Sequence, residues 1–168
     1  MVMRSPIHGH LPGTAHLPAR SYPPSEALTH DWNKYKDVIL AVGGVDTLIR
    51  VFDIRNLSVP VSVMEGHDYA IRRIAYSPHM SDTLLSASYD MTVRNWADGT
   101  TDGEVAALRS GVSSHGHVIN RYNGHTEFVT GIDWCLFGDV GWMASTAWDQ
   151  YVRVYDIRAF PVRRGNLP

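Results

Sequence analysis

Two sets of Ser, His and Asp recur in this chain at matched spacing. His67, Ser86 and Asp90 stand in "GHDYAIRRIAYSPHMSDTLLSASYD", and His125, Ser145 and Asp149 stand in "GHTEFVTGIDWCLFGDVGWMASTAWD". These are the residue types of nucleophilic catalysis, in which His takes the Ser proton and Asp orients the His. Two features argue against that chemistry. Each set carries an aromatic six residues past its Asp, Trp96 in the first and Tyr155 in the second, and a catalytic set is not copied together with its surroundings. Neither serine sits in the sharp strand-to-helix turn that supplies an oxyanion hole. The recurring set therefore reads as structural.

Other chemistry is weaker still. Of nine His, His8, His10 and His16 fall in a proline-rich leader, and His115 and His117 in a polar segment; no Cys cluster or His-Glu-x-x-His accompanies them. "DGTTDGE", Asp98 to Glu104, lacks the alternating ligands of a calcium loop. No metal or cofactor is implied, and the expectation is that the chain is not an enzyme.

The elements that carry these residues are strands. Aligned on aspartate, "AVGGVDTLIRVFDIR", "LSASYDMTVRNWADG" and "STAWDQYVRVYDIR" superpose Asp46, Asp90 and Asp149. Arg follows four residues later in each copy (Arg50, Arg94, Arg153) and an aromatic six later (Phe52, Trp96, Tyr155). The first copy has Val42 in place of the Ser and no preceding Gly-His. "TLIRVFDI", "MTVRNW" and "YVRVYDI" alternate, so that Ile49 and Val51, or Val152 and Val154, share one face and Arg and the aromatic the other. "LLSAS" and "WMASTA" precede them, "IRRIAYS" and "VTGIDWCLF" follow each Gly-His, and "PVSVMEGH" and "VINRYNGH" supply an outer strand. The copies are offset by 44 and 59 residues, near the length of one propeller blade. The chain is expected to be all-β, a partial β-propeller of about three four-stranded blades.

The expected boundaries are a Pro/His-rich disordered leader over 1–25, a degenerate unit over 26–60, a unit over 61–118 with a polar loop insertion at about 97–116, a unit over 119–160, and a tail over 161–168. Five prolines in the leader oppose a helix, and no continuous apolar core marks a secretory signal. A net charge of −2 gives no electrostatic footprint for nucleic acid. The single Cys135 excludes an intramolecular disulfide, and no apolar run approaches the length of a membrane helix.

The Gly-His, Ser, Asp and aromatic pattern resembles the WD-repeat family. That resemblance implies a hydrogen-bonded chain inside each blade: His67, Ser86, Asp90 and Trp96 in the second unit, and His125, Ser145, Asp149 and Tyr155 in the third, with a phenol replacing the indole. Phe52 has no donor, so the first unit cannot build it. The family also presents three ligand-contacting positions per blade on one face: the residue before the turn Asp, and those three and five past the Gly-His histidine. Here these are Tyr89, Ala70 and Arg72, then Trp148, Phe128 and Thr130, and, by alignment, Val45, Glu26 and Leu28 in the first unit. With Asp68 and Glu127 in the same loops, such a surface suits a peptide with apolar side chains and basic ends.

"DWNKY", "GHDYAIRRIAYSP", "SYDMTVRNW" and "GHTEFVTGIDW" narrow the match. They look like the C-terminal blades of the receptors for the type-2 peroxisomal targeting signal. Those receptors bind an N-terminal signal on peroxisomal matrix proteins, basic at one end and bearing His or Gln toward the other. The resemblance implies these cargo proteins, an import co-receptor and the peroxisomal docking machinery as partners. It also implies cycling between the cytosol and the peroxisome matrix. The alternative is a WD-repeat scaffold of another complex, such as a ubiquitin-ligase substrate adaptor. Family members have seven blades, so three blades' worth of sequence reads as a truncated product or fragment with two open ends.

Overall fold

The computed structural model describes residues 25–100 and 114–159. Residues 1–24 of the leader, most of the 97–116 insertion and the tail lie outside them. The described residues form twelve strands and one short 3-10 turn, Ile157–Ala159. The strands are β1 (Ala27–Trp32), β2 (Ile39–Gly44), β3 (Ile49–Asp53), β4 (Ser62–Met64), β5 (Ile71–Tyr76), β6 (Thr83–Ser88), β7 (Val93–Ala97), β8 (Ser114–His115), β9 (His117–Tyr122), β10 (Val129–Trp134), β11 (Trp142–Ala147) and β12 (Val152–Asp156).

Three sheets result, in the orders β1-β2-β3-β4-β8, β5-β6-β7-β9 and β10-β11-β12. All neighbours are antiparallel except β8, a two-residue strand that runs parallel to β4 on the outer edge of the first sheet. The outer strand read at the start of each repeat joins the sheet before it. β4, which precedes the first Gly-His, pairs with β3, and β9, which precedes the second, pairs with β7. Sequence repeat and sheet are thus out of phase by one strand, which ties consecutive sheets together through the chain. The sheets hold five, four and three described strands in place of a uniform four.

Alternation explains the packing. Ile71, Ile74, Tyr76, Leu84 and Trp96 of the second sheet are buried against Ile39, Ala41, Ile49, Val51 and Met64 of the first. Leu85, Ala87 and Val93, on the second sheet's other face, are buried against Val129, Ile132, Trp134 and Met143 of the third. The middle sheet is covered on both faces, so all six residues of β6 are buried. Complete burial of a Leu or Ile contributes about 2 kcal/mol, and the two joints between sheets supply most of the core.

The three inner hairpins share one geometry. Each first strand has one extra residue where the register slips: Leu28 between Ala27 and Thr29, Arg72 between Ile71 and Arg73, and Thr130 between Val129 and Gly131. A bulge of this kind re-aims the side chain it carries. Three copies of it at equivalent places build one rim.

Candidate functional site

The rim is assembled from the turns at Asp46, Asp90 and Asp149. Each carboxylate accepts the amide two residues on: Leu48 at 3.4 Å, Thr92 at 3.0 Å and Tyr151 at 3.0 Å. This Asx closure places the intervening residue in the left-handed region, with φ of 66° at Thr47, 66° at Met91 and 69° at Gln150. The residue before each Asp is held from the other side. Val45 N donates to Glu26 O at 3.0 Å, Tyr89 N to Ala70 O at 3.1 Å and Trp148 N to Phe128 O at 3.0 Å. Those three contacts make Val45, Tyr89 and Trp148 equivalent, and likewise Glu26, Ala70 and Phe128. The bulged residues Leu28, Arg72 and Thr130 complete the set.

Three of these side chains come together. Tyr89 and Phe128 have ring centroids 4.9 Å apart, Phe128 and Trp148 5.2 Å, and Tyr89 and Trp148 6.4 Å. The cluster spans the joint between the second and third sheets. Trp148 is 62% exposed, and Tyr89 and Phe128 are half-buried. Tilted contacts at these distances stabilise the rings against one another while leaving faces open to solvent. Asp68 and Glu127, in the two loops beside the cluster, are exposed, as is Glu26 on the first sheet. Arg72 is exposed too and brings a positive charge among them. Two exposed aromatics in the same loops fall outside the predicted positions. Tyr69 lies two residues past His67, and Tyr151 two past Asp149 with Arg153 over its ring at 5.2 Å. An aromatic next to either turn motif is the sequence signal that would have added them.

Beneath the rim run the polar chains. In the second sheet Trp96 Nε1 donates to Ser86 Oγ at 2.7 Å, Ser86 lies 2.6 Å from His67 Nε2, and His67 Nδ1 lies 2.7 Å from Asp90 Oδ2. One direction of donation satisfies all four groups: indole to hydroxyl, hydroxyl to Nε2, Nδ1–H to carboxylate. Burial pushes the His67 pKa below its ordinary value, against the pull of Asp90. Burial acts to raise the Asp90 carboxyl, but the hydrogen bonds from His67, Thr92 and the Asp68 amide win and hold it well below the usual range. In the third sheet His125 Nδ1 lies 2.8 Å from Asp149 Oδ2, and His125 Nε2 2.7 Å from Ser145 Oγ. The Tyr155 phenol is raised by burial and faces Ser145, and its ring stacks on Tyr122 at 4.2 Å. In the first sheet Asp46 pairs with Arg50 at 2.6 Å.

The Gly of each Gly-His is dictated by this crowding. Gly66 has φ of 152°, and a Cβ there would meet Arg94 and the Trp96 ring; a Cβ at Gly124 would meet the Tyr122 phenol. The connectivity of Ser, His and Asp matches that of a hydrolase triad, yet Ser86 is fully buried and its oxygen already accepts the Trp96 indole. No substrate carbonyl can reach it. Among the described residues no group of three His, Cys, Asp or Glu is placed to hold a metal ion. His115 and His117 are exposed, and His8, His10 and His16 lie outside the described residues.

Comparison with known proteins agrees with this geometry. The family profile "WD domain, G-beta repeat" matches residues 58–97 and 116–156. The chain is 41% identical over 152 residues to the peroxisomal targeting signal 2 receptor of Saccharomyces cerevisiae, covering 78% of this chain and 40% of that protein. It is 32% identical over 133 residues to the peroxisomal targeting signal 2 receptor of Schizosaccharomyces pombe, covering 79% and 38%. It is 40% identical over 97 residues to peroxisome biogenesis protein 7 of Arabidopsis thaliana, covering 58% and 26%. The chain therefore spans 40% or less of the length of these relatives. With two matched repeats, three blade-like sheets and the polar chain built twice, the chain is similar to WD-repeat proteins and, over most of its length, to the receptors named for peroxisomal targeting signal 2.

Proposed function

We propose that this chain contributes a recognition surface for the type-2 targeting signal of peroxisomal matrix proteins, as part of their import. The observation that carries the reading is the aromatic cluster of Tyr89, Phe128 and Trp148, held on a rigid rim with Asp68 and Glu127 beside it. Aromatic faces give a peptide's apolar side chains contact area at low entropic cost, and carboxylates pair its basic residues. An extended peptide crossing the joint between the second and third sheets would place apolar groups on Tyr89 and Phe128 and a basic end near Asp68 or Glu127. Ala70, Thr130, Leu28 and Glu26 extend the same rim, and Arg72 opposes cargo that is basic along its whole length.

The names of the similar proteins support this reading. The partners that follow from it are matrix proteins bearing the signal, an import co-receptor and the peroxisomal docking machinery, with cycling between cytosol and peroxisome matrix. Fluorescence anisotropy tests it. A labelled type-2 signal peptide is expected to bind the 168-residue chain at least about ten-fold tighter than the same peptide with its basic residue replaced by Glu. Equal binding of the two peptides overturns the proposal.

A further inference from the structure

β1, β5 and β10 each stand at the edge of their sheet, and β5 packs beside both of the others. An edge strand carries backbone amides that no neighbouring strand accepts. In the first joint, side chains of β1 accept the amides of β5. Thr29 Oγ1 takes the Ile74 amide at 3.1 Å, and Asp31 Oδ2 takes the Tyr76 amide at 2.8 Å. Register makes the second joint comparable. Thr29 pairs with Gly43, Arg73 with Ala87 and Gly131 with Thr146, while Trp32 pairs with Leu40, Tyr76 with Leu84 and Trp134 with Met143. Arg73 and Ala75 therefore hold the places of Thr29 and Asp31, and Ile132 and Trp134 those of Ile74 and Tyr76.

Neither Arg73 nor Ala75 does what its counterpart does. Ala75 has no polar side chain, so the Trp134 amide turns to Asp133 Oδ1 at 2.8 Å, and the Trp134 indole donates to Ala75 O at 2.9 Å. Arg73 only donates. The Ile132 amide, turned toward β5 by its register, therefore faces a guanidinium where the Ile74 amide has a hydroxyl. Both Arg73 and Ile132 line a cavity of about 210 Å³. Its two carboxylates are already engaged, Asp31 by the Tyr76 amide and by Lys34 at 2.7 Å, and Asp133 by the Trp134 amide. Arg73 is exposed and takes part in no hydrogen bond or ion pair among the described residues. Two donors thus share one wall at a place where the first joint matches donor with acceptor.

We infer that this cavity binds a carboxylate, the Asp or Glu side chain of a partner peptide, with Arg73 as its anchor and the Ile132 amide as a second donor. A carboxylate supplies the acceptor this joint lacks, and its two oxygens match the guanidinium fork. Asp31 and Asp133 in the walls oppose the second charge of a phosphate, which selects a monoanion. Pro78, Trp134 and Leu136 line the same cavity, and Leu136 is 62% exposed. An apolar residue beside the carboxylate therefore finds contact area there. The lining residues lie at the ends of β1, β5 and β10 away from Leu28, Arg72 and Thr130. The cavity is thus separate from the aromatic rim, both of its walls belong to joints inside the chain, and it does not depend on which ligand the rim takes.

Amide NMR on the isotope-labelled 168-residue chain tests the inference, with N-acetyl-Glu-Leu-amide as the probe. The Ile132 amide is expected to shift saturably, with a dissociation constant on the order of 1 mM. N-acetyl-Gln-Leu-amide, which lacks the charge, is expected to bind at least about ten-fold more weakly. Arg73→Thr gives the second joint the hydroxyl that Thr29 supplies in the first. It is expected to weaken the Glu probe at least about ten-fold while the denaturation midpoint holds or rises. A purely structural Arg73 predicts the reverse, a lower midpoint with the two probes bound alike. No saturable shift with the Glu probe, equal binding of the Gln probe, or tighter binding of N-acetyl-phosphoserine-Leu-amide overturns the inference.

Discussion

Tyr89 and Phe128 lie with ring centroids 4.9 Å apart although they belong to different sheets and stand 39 positions apart in the chain. Each is placed by a hydrogen bond outside its own side chain, Tyr89 by its amide on Ala70 O and Phe128 by its carbonyl under Trp148 N. A contact made this way forms only when the second and third sheets dock, so the candidate ligand surface and the joint are one structure. Phe128→Ala is therefore expected to weaken signal-peptide binding by about ten-fold or more, as loss of a central aromatic does at an interface. Because Phe128 also packs across the joint, the midpoint of denaturation should fall too, and affinity is compared per folded molecule. Unchanged anisotropy titrations with Phe128→Ala would place the ligand elsewhere.

Ser86 joins three groups: it accepts from Trp96 and faces His67, which holds Asp90. Ser86→Ala leaves a buried indole N–H and an imidazole nitrogen without partners, at a cost of about 1–3 kcal/mol for each unsatisfied group. Urea titration should show this loss, with a smaller one for Ser145→Ala, where the third sheet has an exposed outer face. A structural role predicts the loss in stability, with peptide affinity per folded molecule retained.

Acid should unfold the chain in two stages. The His67 pKa is lower in the folded state than the ordinary 6.5 because burial disfavours its charge, so the unfolded chain binds the extra proton as pH falls through 6.5. Stability present at pH 7 is then lost progressively below that value. Asp90 is depressed from 3.8, and its contribution is present above 3.8 and lost as pH falls toward its folded value. Denaturation midpoints measured between pH 7.5 and 5 should decline, and His67→Gln should flatten that decline. A slope the variant does not change would assign the effect to other groups.

Thr47, Met91 and Gln150 hold equivalent left-handed conformations, and Thr47 is the β-branched one. A β-branched side chain is costly there. Thr47→Gly is expected to raise stability by about 0.5–1 kcal/mol, the relief exceeding the added freedom of the unfolded chain. A thermal or urea midpoint that falls would show that the Thr47 side chain makes a contact worth more than its strain.

Much of this was legible in the residues because the repeat is local. Alternation in "TLIRVFDI" and "YVRVYDI" assigns strands, and the offsets between His67, Ser86, Asp90 and Trp96 report distances that one hairpin spans. Equivalence of Val45, Tyr89 and Trp148 follows from the same Asp turn, a motif closed within four residues. What escaped was everything that depends on which edge meets which edge. The strand before each Gly-His reads as part of its own repeat, since nothing in β4 or β9 names its partner; pairing with β3 and β7 is decided by the sheets' docking. Identical Trp codes also part company, Trp134 buried and Trp32 exposed, because burial is a property of the neighbouring sheet. The sequence by itself determined the three hairpins, their polar chains and their rim. Only the tertiary structure decided that Tyr89 meets Phe128 and Trp148, since side chains 39 and 59 residues apart touch only after the second and third sheets pack.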